Sequence, residues 1–386
     1  RGLNNNFYYL TGMKDRGATL ILLPEGDIKE ILFNASGTWD YAASNSLAEV
    51  FRAEDFSSTP IRYIGSETLY MSFRNFDILD GLGRGINSIK TIKNVDPVLV
   101  NMRIFKDEKE IEFLKKAGVV TALALNDAYK AAEPGVTENQ LFEIMENGIK
   151  SRGSRGSSFY QVASGPNAVN VHFNATDRPM EEGDLIVFDY GAWWENYTAD
   201  ISRTIPVSGK FTIEQKEIYQ IVLASQKAAI NKMKPGVSFN DVRQAAEEVI
   251  IDGLTDLGLI TDKSKEWQQR FYIQHGFYHF IGLEIHDVWS EYRNALDELV
   301  YQPGMIMTME PGLYFPEDYL DRRQPRGVEA EEWQQFLQKV RPIYNKYIHI
   351  GVRIEDDVLI TANGNEVLTS QVPKEIADIE NMMKKQ

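Results

Sequence analysis

The stretch FDYGAWWENYTAD, residues 188–200, reads as two strands folded back on each other around Trp194-Glu195. In an antiparallel pair centred there, Asp189 lies directly opposite Asp200. Opposed side chains in a hairpin sit ~5 Å apart, and like charges at that distance oppose folding. The flanking runs LIVF, residues 185–188, and ISRTI, residues 201–205, are apolar enough to bury the pair, which makes two bare carboxylates costlier still. A positive charge between them resolves the conflict, and a divalent metal ion is the simplest one.

Three later segments place polar groups inside apolar, strand-like runs. In HGFYHFIGLEIHDV, residues 275–288, His275 and His279 have the spacing of a zinc-binding helix. No Glu follows His275, however, and Gly276, Gly282 and the aromatic and β-branched filling favour extended chain. The two histidines share a face in a strand as well. In GMIMTMEPGLYF, residues 304–315, Glu310 closes an apolar run and Pro311 stops the ladder. In IHIGVRIEDDVLIT, residues 348–361, Arg353 and Glu355 alternate with Val352 and Ile354 and point together to the opposite face. Taken singly, a solvated glutamate and a surface ion pair account for the last two. Together with the hairpin, Asp189, Asp200, His279, Glu310 and Glu355 form a hard-ligand set suited to Mn²⁺ or Mg²⁺ and poorer in nitrogen than a typical zinc site. Five ligands exceed what one catalytic ion needs, and they fit a pair of ions ~3.5 to 4 Å apart, the arrangement that activates water for hydrolysis.

The bulk composition narrows the rest. The 386 residues are enough for two domains, and 43% hydrophobic residues supply a packed core. Fifty-six acidic against 41 basic residues give a formal charge of −15, which repels phosphate backbones and argues against nucleic acid as a partner. There are no cysteines, so disulfides, thiolate zinc sites and cysteine nucleophiles are excluded. No apolar run approaches the ~20 residues needed to cross a membrane, and no secretory segment precedes the first strand. These features lead us to expect a cytoplasmic protein without membrane partners. The chain opens on Arg1, so an exported form whose start has been removed is also compatible.

Residues 1–103 alternate short apolar runs with turns, as a mixed α/β domain does. Near residue 103 the texture changes, and Ile111, Leu114, Ala117, Val120 and Leu123 begin a long amphipathic helix. The second domain, residues 104–386, carries an internal echo: a helix, Pro-Gly-Val, a hydroxyl cap and another helix occur around Pro134 and again around Pro235. Thr137 with Gln140 forms a capping box, and Ser238 with Asp241 a looser version. Two related halves make a site between them geometrically natural.

The ordered set Asp, Asp, His, Glu, Glu in these contexts resembles the dinuclear M24B-type metallopeptidases of the pita-bread fold. The preceding α/β domain, creatinase-like and apparently shortened, resembles that of the proline-specific branch, aminopeptidase P and prolidase. The resemblance implies an α+β chain whose pita-bread catalytic domain has a pseudo-twofold internal repeat. It implies hydrolysis of Xaa-Pro peptide bonds by a metal-activated water, with two divalent ions, most naturally Mn²⁺, with Co²⁺ or Zn²⁺ as substitutes. Asp189 would bind one ion, Asp200 and Glu355 would bridge both, and His279 and Glu310 would complete the other site. Glu310 would also shuttle the proton to the leaving proline nitrogen. His172, His275 and His286 match histidines that hold substrate carbonyls, and Tyr314 and Arg353 match supporting positions. The partners implied are a proline-containing peptide and a second copy of the chain in a homodimer. His349 is expected to be structural.

Peptide length stays open. The long interval between Glu310 and Glu355, with the helical piece EAEEWQQFLQKVRPIYNKY at residues 329–347, pulls toward a dipeptidase, and Arg293 is a candidate clamp for a dipeptide carboxylate. A pita-bread protein serving only as a binding module, or a metal-free amidinohydrolase, is disfavoured because all five ligands are retained.

Overall fold

The computed structural model describes residues 4–15, 17–23, 30–35, 49–56, 68–73, 79, 87, 89–288, 298–322 and 324–384. Arg293 lies outside them. The chain divides into two compact units, Arg1–Arg103 and Ile104–Gln386.

In the first unit, Thr19–Leu22 pairs antiparallel with Glu30–Asn34, which pairs parallel with Glu49–Arg52. Thr68–Met71 and Thr91–Asn94 form a second, parallel pair. Ile31, Leu32 and Phe33 on the central strand are buried, and Phe33 stacks on Phe51 with ring centroids 5.6 Å apart. The helix Asn5–Thr11 starts at Asn4, whose side chain accepts from Phe7 N, and stops at Gly12 in the left-handed region.

The second unit begins with two helices, Glu108–Ala131 and Glu138–Ser151, each opened by a capping box, Asp107 with Glu110 and Thr137 with Gln140. Ile213–Lys232 and Phe239–Asp256 repeat the motif, with Thr212 and Gln215 closing a box on the first and Ser238 alone capping the second. The echo extends to individual hydrogen bonds. Gly135 N donates to Met180 O and Met180 N to Val136 O at 2.8 and 2.9 Å, while Gly236 N donates to Tyr301 O and Tyr301 N to Val237 O at the same two distances. Each Pro-Gly-Val therefore docks on the strand-entry segment of its own half.

The first half contributes the sheet Ser157–Ser164, Leu185–Trp194, Tyr197–Thr198 and Ile201–Pro206. Its hairpin corrects the expected register. Glu195 and Asn196 adopt φ of 46° and 66°, so the two-residue turn lies on them, one position later than expected. Positive φ at both turn residues matches the right-handed twist of paired strands. Trp194 pairs with Tyr197 and Asp189 with Ser202, so Asp189 does not face Asp200. The slip moves the partner by two residues, which preserves the face: Asp200 becomes the diagonal neighbour of Asp189 on the same side of the sheet. Gly191 is needed here, because a Cβ would overlap the Ala199 carbonyl oxygen.

The second half contributes Ile306–Met309, antiparallel to Asp356–Thr361, and Gly312–Tyr314, antiparallel to Gly351–Arg353. Glu310 and Glu355 sit at the breaks between these ladders. Glu355 N donates to Ser202 O at 3.0 Å and so joins the two halves. The strand expected over 275–288 is only partly regular. Glu310 N donates to Phe277 O and Thr308 N to His279 O at 2.8 and 2.9 Å, which keeps residues 277–281 extended beside the 306–309 strand. From Gly282 the chain turns back, with Asp287 N bonded to Phe280 O at 2.8 Å. The interval after Glu310 holds the helix Ala330–Tyr344, whose Trp333 and Phe336 pack against Trp267 and Phe271.

Candidate metal centre

Asp189, Asp200, His279 and Glu355 are all buried, in a region where the two halves meet. Asp200, His279 and Glu355 each bring a ligand atom to within 4.8 Å of the other two. His279 Nε2 lies 3.5 Å from Asp200 Oδ2, 3.4 Å from Glu310 Oε1 and 4.0 Å from Glu355 Oε1. Its Nδ1 is 3.1 Å from Phe280 O, so the proton belongs on Nδ1 and the Nε2 lone pair faces the carboxylates. Burial, then the neighbouring His286, pushes the ring down to about 3, so it is neutral, as a ligand must be.

The carboxylates are short of donors. Asp189 Oδ1, Asp200 Oδ1 and Glu355 Oε1 are buried with no hydrogen-bond partner among the described residues. Each such oxygen costs roughly 1 to 3 kcal/mol unless something cationic or protic meets it. Burial and then repulsion from Glu355 raise Asp200 and Glu310 well above the usual carboxylate range. Burial and then Asp189 lift Glu355 to about 8. Orphaned hard oxygens around a neutral imidazole are what a divalent cation satisfies, and the residues present fit one.

A second set of contacts fixes this cluster. Arg353, buried, uses every arm of its guanidinium: Nε donates to Ser202 Oγ at 2.8 Å, Nη1 to Val171 O and Tyr314 Oη at 2.9 Å each, and Nη2 to Asp189 Oδ2. Burial alone would lower its pKa, but Asp189 and then Tyr314 raise it well above normal, so it stays charged. Tyr314 Oη lies 3.0 Å from His275 Nε2, and His275 Nδ1 is 2.7 Å from Gly276 O. With the proton on Nδ1, Tyr314 donates to His275 and accepts from Arg353. Burial and then Arg353 push His275 down to about 3. His275 Nδ1 is also 3.7 Å from Glu310 Oε2. His172 and His286 are exposed at the residue level, and burial of the ring nitrogens, then the neighbouring His172, lowers His286. The His286 ring stands perpendicular to that of His279, centroids 4.3 Å apart. His349, at φ 66°, lies 3.7 Å from Glu317, outside this cluster.

Five further residues escaped the sequence reading. Ser202 Oγ donates to Glu355 Oε2 at 2.7 Å while accepting from Arg353, a role hidden by the misplaced hairpin register. Asp357 Oδ2 accepts from Asp200 N at 3.1 Å; it shares Glu355's strand parity, and that parity was the available signal. Arg203 and Asp356 form a fully buried ion pair at 2.6 Å, joined by Lys374 at 2.6 Å. Burial alone would raise Asp356, but Arg203 and Lys374 hold it below the usual range.

Residues 112–362 match metallopeptidase family M24. The Xaa-Pro aminopeptidase of Haemophilus influenzae is 33% identical over 402 residues, covering 98% of this chain and 87% of that protein. The human Xaa-Pro dipeptidase is 32% identical over 309 residues, covering 74% of this chain and 61% of that one. The solved structure of the Pseudomonas aeruginosa aminopeptidase PepP superposes with a TM-score of 0.84 at 30% identity, over 98% of this chain and 88% of that chain. The fold and the site define a metallopeptidase with an α+β leading domain and a pita-bread catalytic domain. The chain belongs to metallopeptidase family M24. No helix among the described residues is long and apolar enough to cross a membrane.

Proposed function

We propose that this protein hydrolyses the peptide bond between an N-terminal residue and a following proline, using a pair of divalent metal ions. The observation that carries the reading is the set of buried oxygens on Asp189, Asp200 and Glu355 that lack a donor among the described residues, with the Asp200 and Glu355 carboxylates 3.5 and 4.0 Å from His279 Nε2. Asp189, Asp200, His279, Glu310 and Glu355 would hold these ions. When bound, such ions polarise the scissile carbonyl and lower the pKa of water toward neutrality. The oxygen-rich donor set favours Mn²⁺ over Zn²⁺.

The chain's own residues supply the rest. Glu310 is partly exposed and lies beside both His275 and His279, so its carboxylate can take the proton of the attacking water and pass it to the proline nitrogen. His172 and His286 present exposed rings able to hydrogen-bond substrate carbonyls. Arg353 positions Asp189, and Tyr314 fixes the orientation of His275.

The test is hydrolysis of Ala-Pro-Ala and Ala-Ala-Ala by protein stripped of metal and reloaded with Mn²⁺, Co²⁺ or Zn²⁺. Cleavage confined to the proline peptide, with Mn²⁺ the best ion, is expected. No cleavage with any ion, or equal cleavage of both peptides, overturns the reading. Light scattering of the same sample tests the homodimer.

A further inference from the structure

A cavity of about 690 Å³ opens beside the catalytic cluster, within the size range of ligand pockets. Val171 and Gln274 form part of its wall. They are the chain neighbours of His172 and His275, one Cα step of ~3.8 Å away. Val171 O is held by Arg353, and Gln274 Nε2 donates to Tyr314 O at 3.0 Å, so this wall is braced by two members of the Arg353–Tyr314–His275 chain. The outer rim carries Arg270, Arg322 and Arg326 in a protein whose formal charge is −15.

Two of these arginines are held only weakly. Arg270 pairs with Glu266 at 2.8 Å and Arg322 with Asp318, both one helical turn away and well exposed. Pairs of that kind exchange readily for a better partner. Arg326 makes no ion pair among the described residues, and the turn that carries it is held by Gln324 Nε2 donating to Val328 O at 2.7 Å. A planar guanidinium presents the fork that fits a carboxylate.

We propose that this cavity takes the peptide beyond the proline and selects a carboxylate there, either the C-terminal one or an Asp or Glu side chain. The inference rests on the Xaa-Pro reading above. An enzyme that removes one residue has a single amino acid, bearing an ammonium, on one side of the scissile bond. Three arginines repel that end. Everything longer lies on the other side and ends in a negative charge, which the rim attracts. Val171 and Gln274 adjoin His172 and His275, so peptide held at those histidines continues along this wall. The segment after Glu310 thus lines a site for longer substrates, and the protein acts on peptides beyond the dipeptide.

The test compares the metal-loaded full chain on Ala-Pro-Ala against its C-terminal amide, and on Ala-Pro-Ala-Glu-amide against Ala-Pro-Ala-Gln-amide. The first pair isolates the terminal carboxylate, the second the side-chain one. In either pair, or both, KM about three- to tenfold lower for the acid is expected at low salt. Arg326→Glu should abolish that preference while leaving kcat on the neutral amides unchanged. Equal KM in both pairs, or a preference untouched by both Arg326→Glu and Arg270→Glu, overturns the proposal. Trp267 in the cavity wall gives a readout that needs no turnover. Quenching of its fluorescence by Pro-Ala-Glu at lower concentration than by Pro-Ala-Gln-amide, absent in Trp267→Phe, upholds the site even if no peptide is cleaved, and equal quenching overturns it.

Discussion

Arg353 and Asp189, 164 residues apart in sequence, form a buried ion pair that occupies one carboxylate oxygen and leaves the other without a donor. Arg353→Met strands Asp189 in an apolar setting, and breaking a buried pair costs about 3 to 5 kcal/mol. Thermal unfolding of the metal-loaded protein measures this. Arg353→Lys keeps the charge but has three donors in place of five and cannot fork. Its stability loss should be smaller, while activity falls roughly 10- to 100-fold, as for other groups that orient ligands. A wild-type melting temperature in Arg353→Met contradicts the pairing.

Asp200 is raised by burial and then by Glu355, so without metal its negative charge opposes folding. Asp200→Asn should lose activity and bind fewer ions per chain. The stripped variant should nevertheless melt above the stripped wild type, by an amount on the order of 1 to 3 kcal/mol. Metal analysis and calorimetry on the same two samples check both halves of this, and full metal content in the variant refutes its place in the centre.

The stripped protein should also lose stability as pH rises. Glu355 titrates near 8 in the fold against an ordinary value of 4.5. Between those values the unfolded chain has released the proton and the folded chain has kept it. Stability is therefore highest below about pH 4.5 as far as this group is concerned, and falls through the window by about 1.4 kcal/mol per pH unit for one proton. Saturating Mn²⁺ should flatten the slope. Denaturant melts of stripped and loaded protein from pH 5 to 8 decide it, and identical slopes reject the coupling.

Glu138 anchors the loop that carries His172. Its Oε1 accepts from Ser164 N, Ser164 Oγ and Asn167 Nδ2 at 2.7, 2.8 and 3.0 Å, and its Oε2 from Thr176 N and Oγ1 at 3.0 and 2.7 Å. Glu138→Gln turns one of these acceptors into a donor facing donors, at a cost of about 1 to 3 kcal/mol. KM should rise several-fold as the loop loosens, with metal content unchanged. Loss of metal instead would assign the residue to the centre itself.

The burial of the candidate ligands was legible because strands alternate faces, so a charged residue inside an apolar run betrays a burial that needs a partner. Asp189, Asp200, Glu310 and Glu355 all carry that signal. The register of the hairpin was not legible, since Trp-Glu-Asn-Tyr lacks the Asn-Gly that marks a tight turn, and two non-glycine residues take positive φ there. The parity argument survived only because the slip was two residues, not one. The curl of residues 282–288 after an extended start has no periodic signature at all. Ser202 and Arg203 look like ordinary strand residues until Glu355 and Asp356 are packed against them. The repeat was visible at Pro134 and Pro235 because a helix entry needs the same punctuation each time.

The two halves divide the candidate ligands between them. Asp189 and Asp200 belong to the first, His279, Glu310 and Glu355 to the second, and the bond from Glu355 N to Ser202 O stitches the seam. Each half can dock its own Pro-Gly-Val without the other, but closing the seam is the step that crowds four carboxylates together. That step joins Ser202 and Glu355, 153 residues apart, and is opposed by charge, so it is expected late in assembly. A divalent cation held by these residues would offset that charge, so filling of the centre and closing of the seam would stabilise each other.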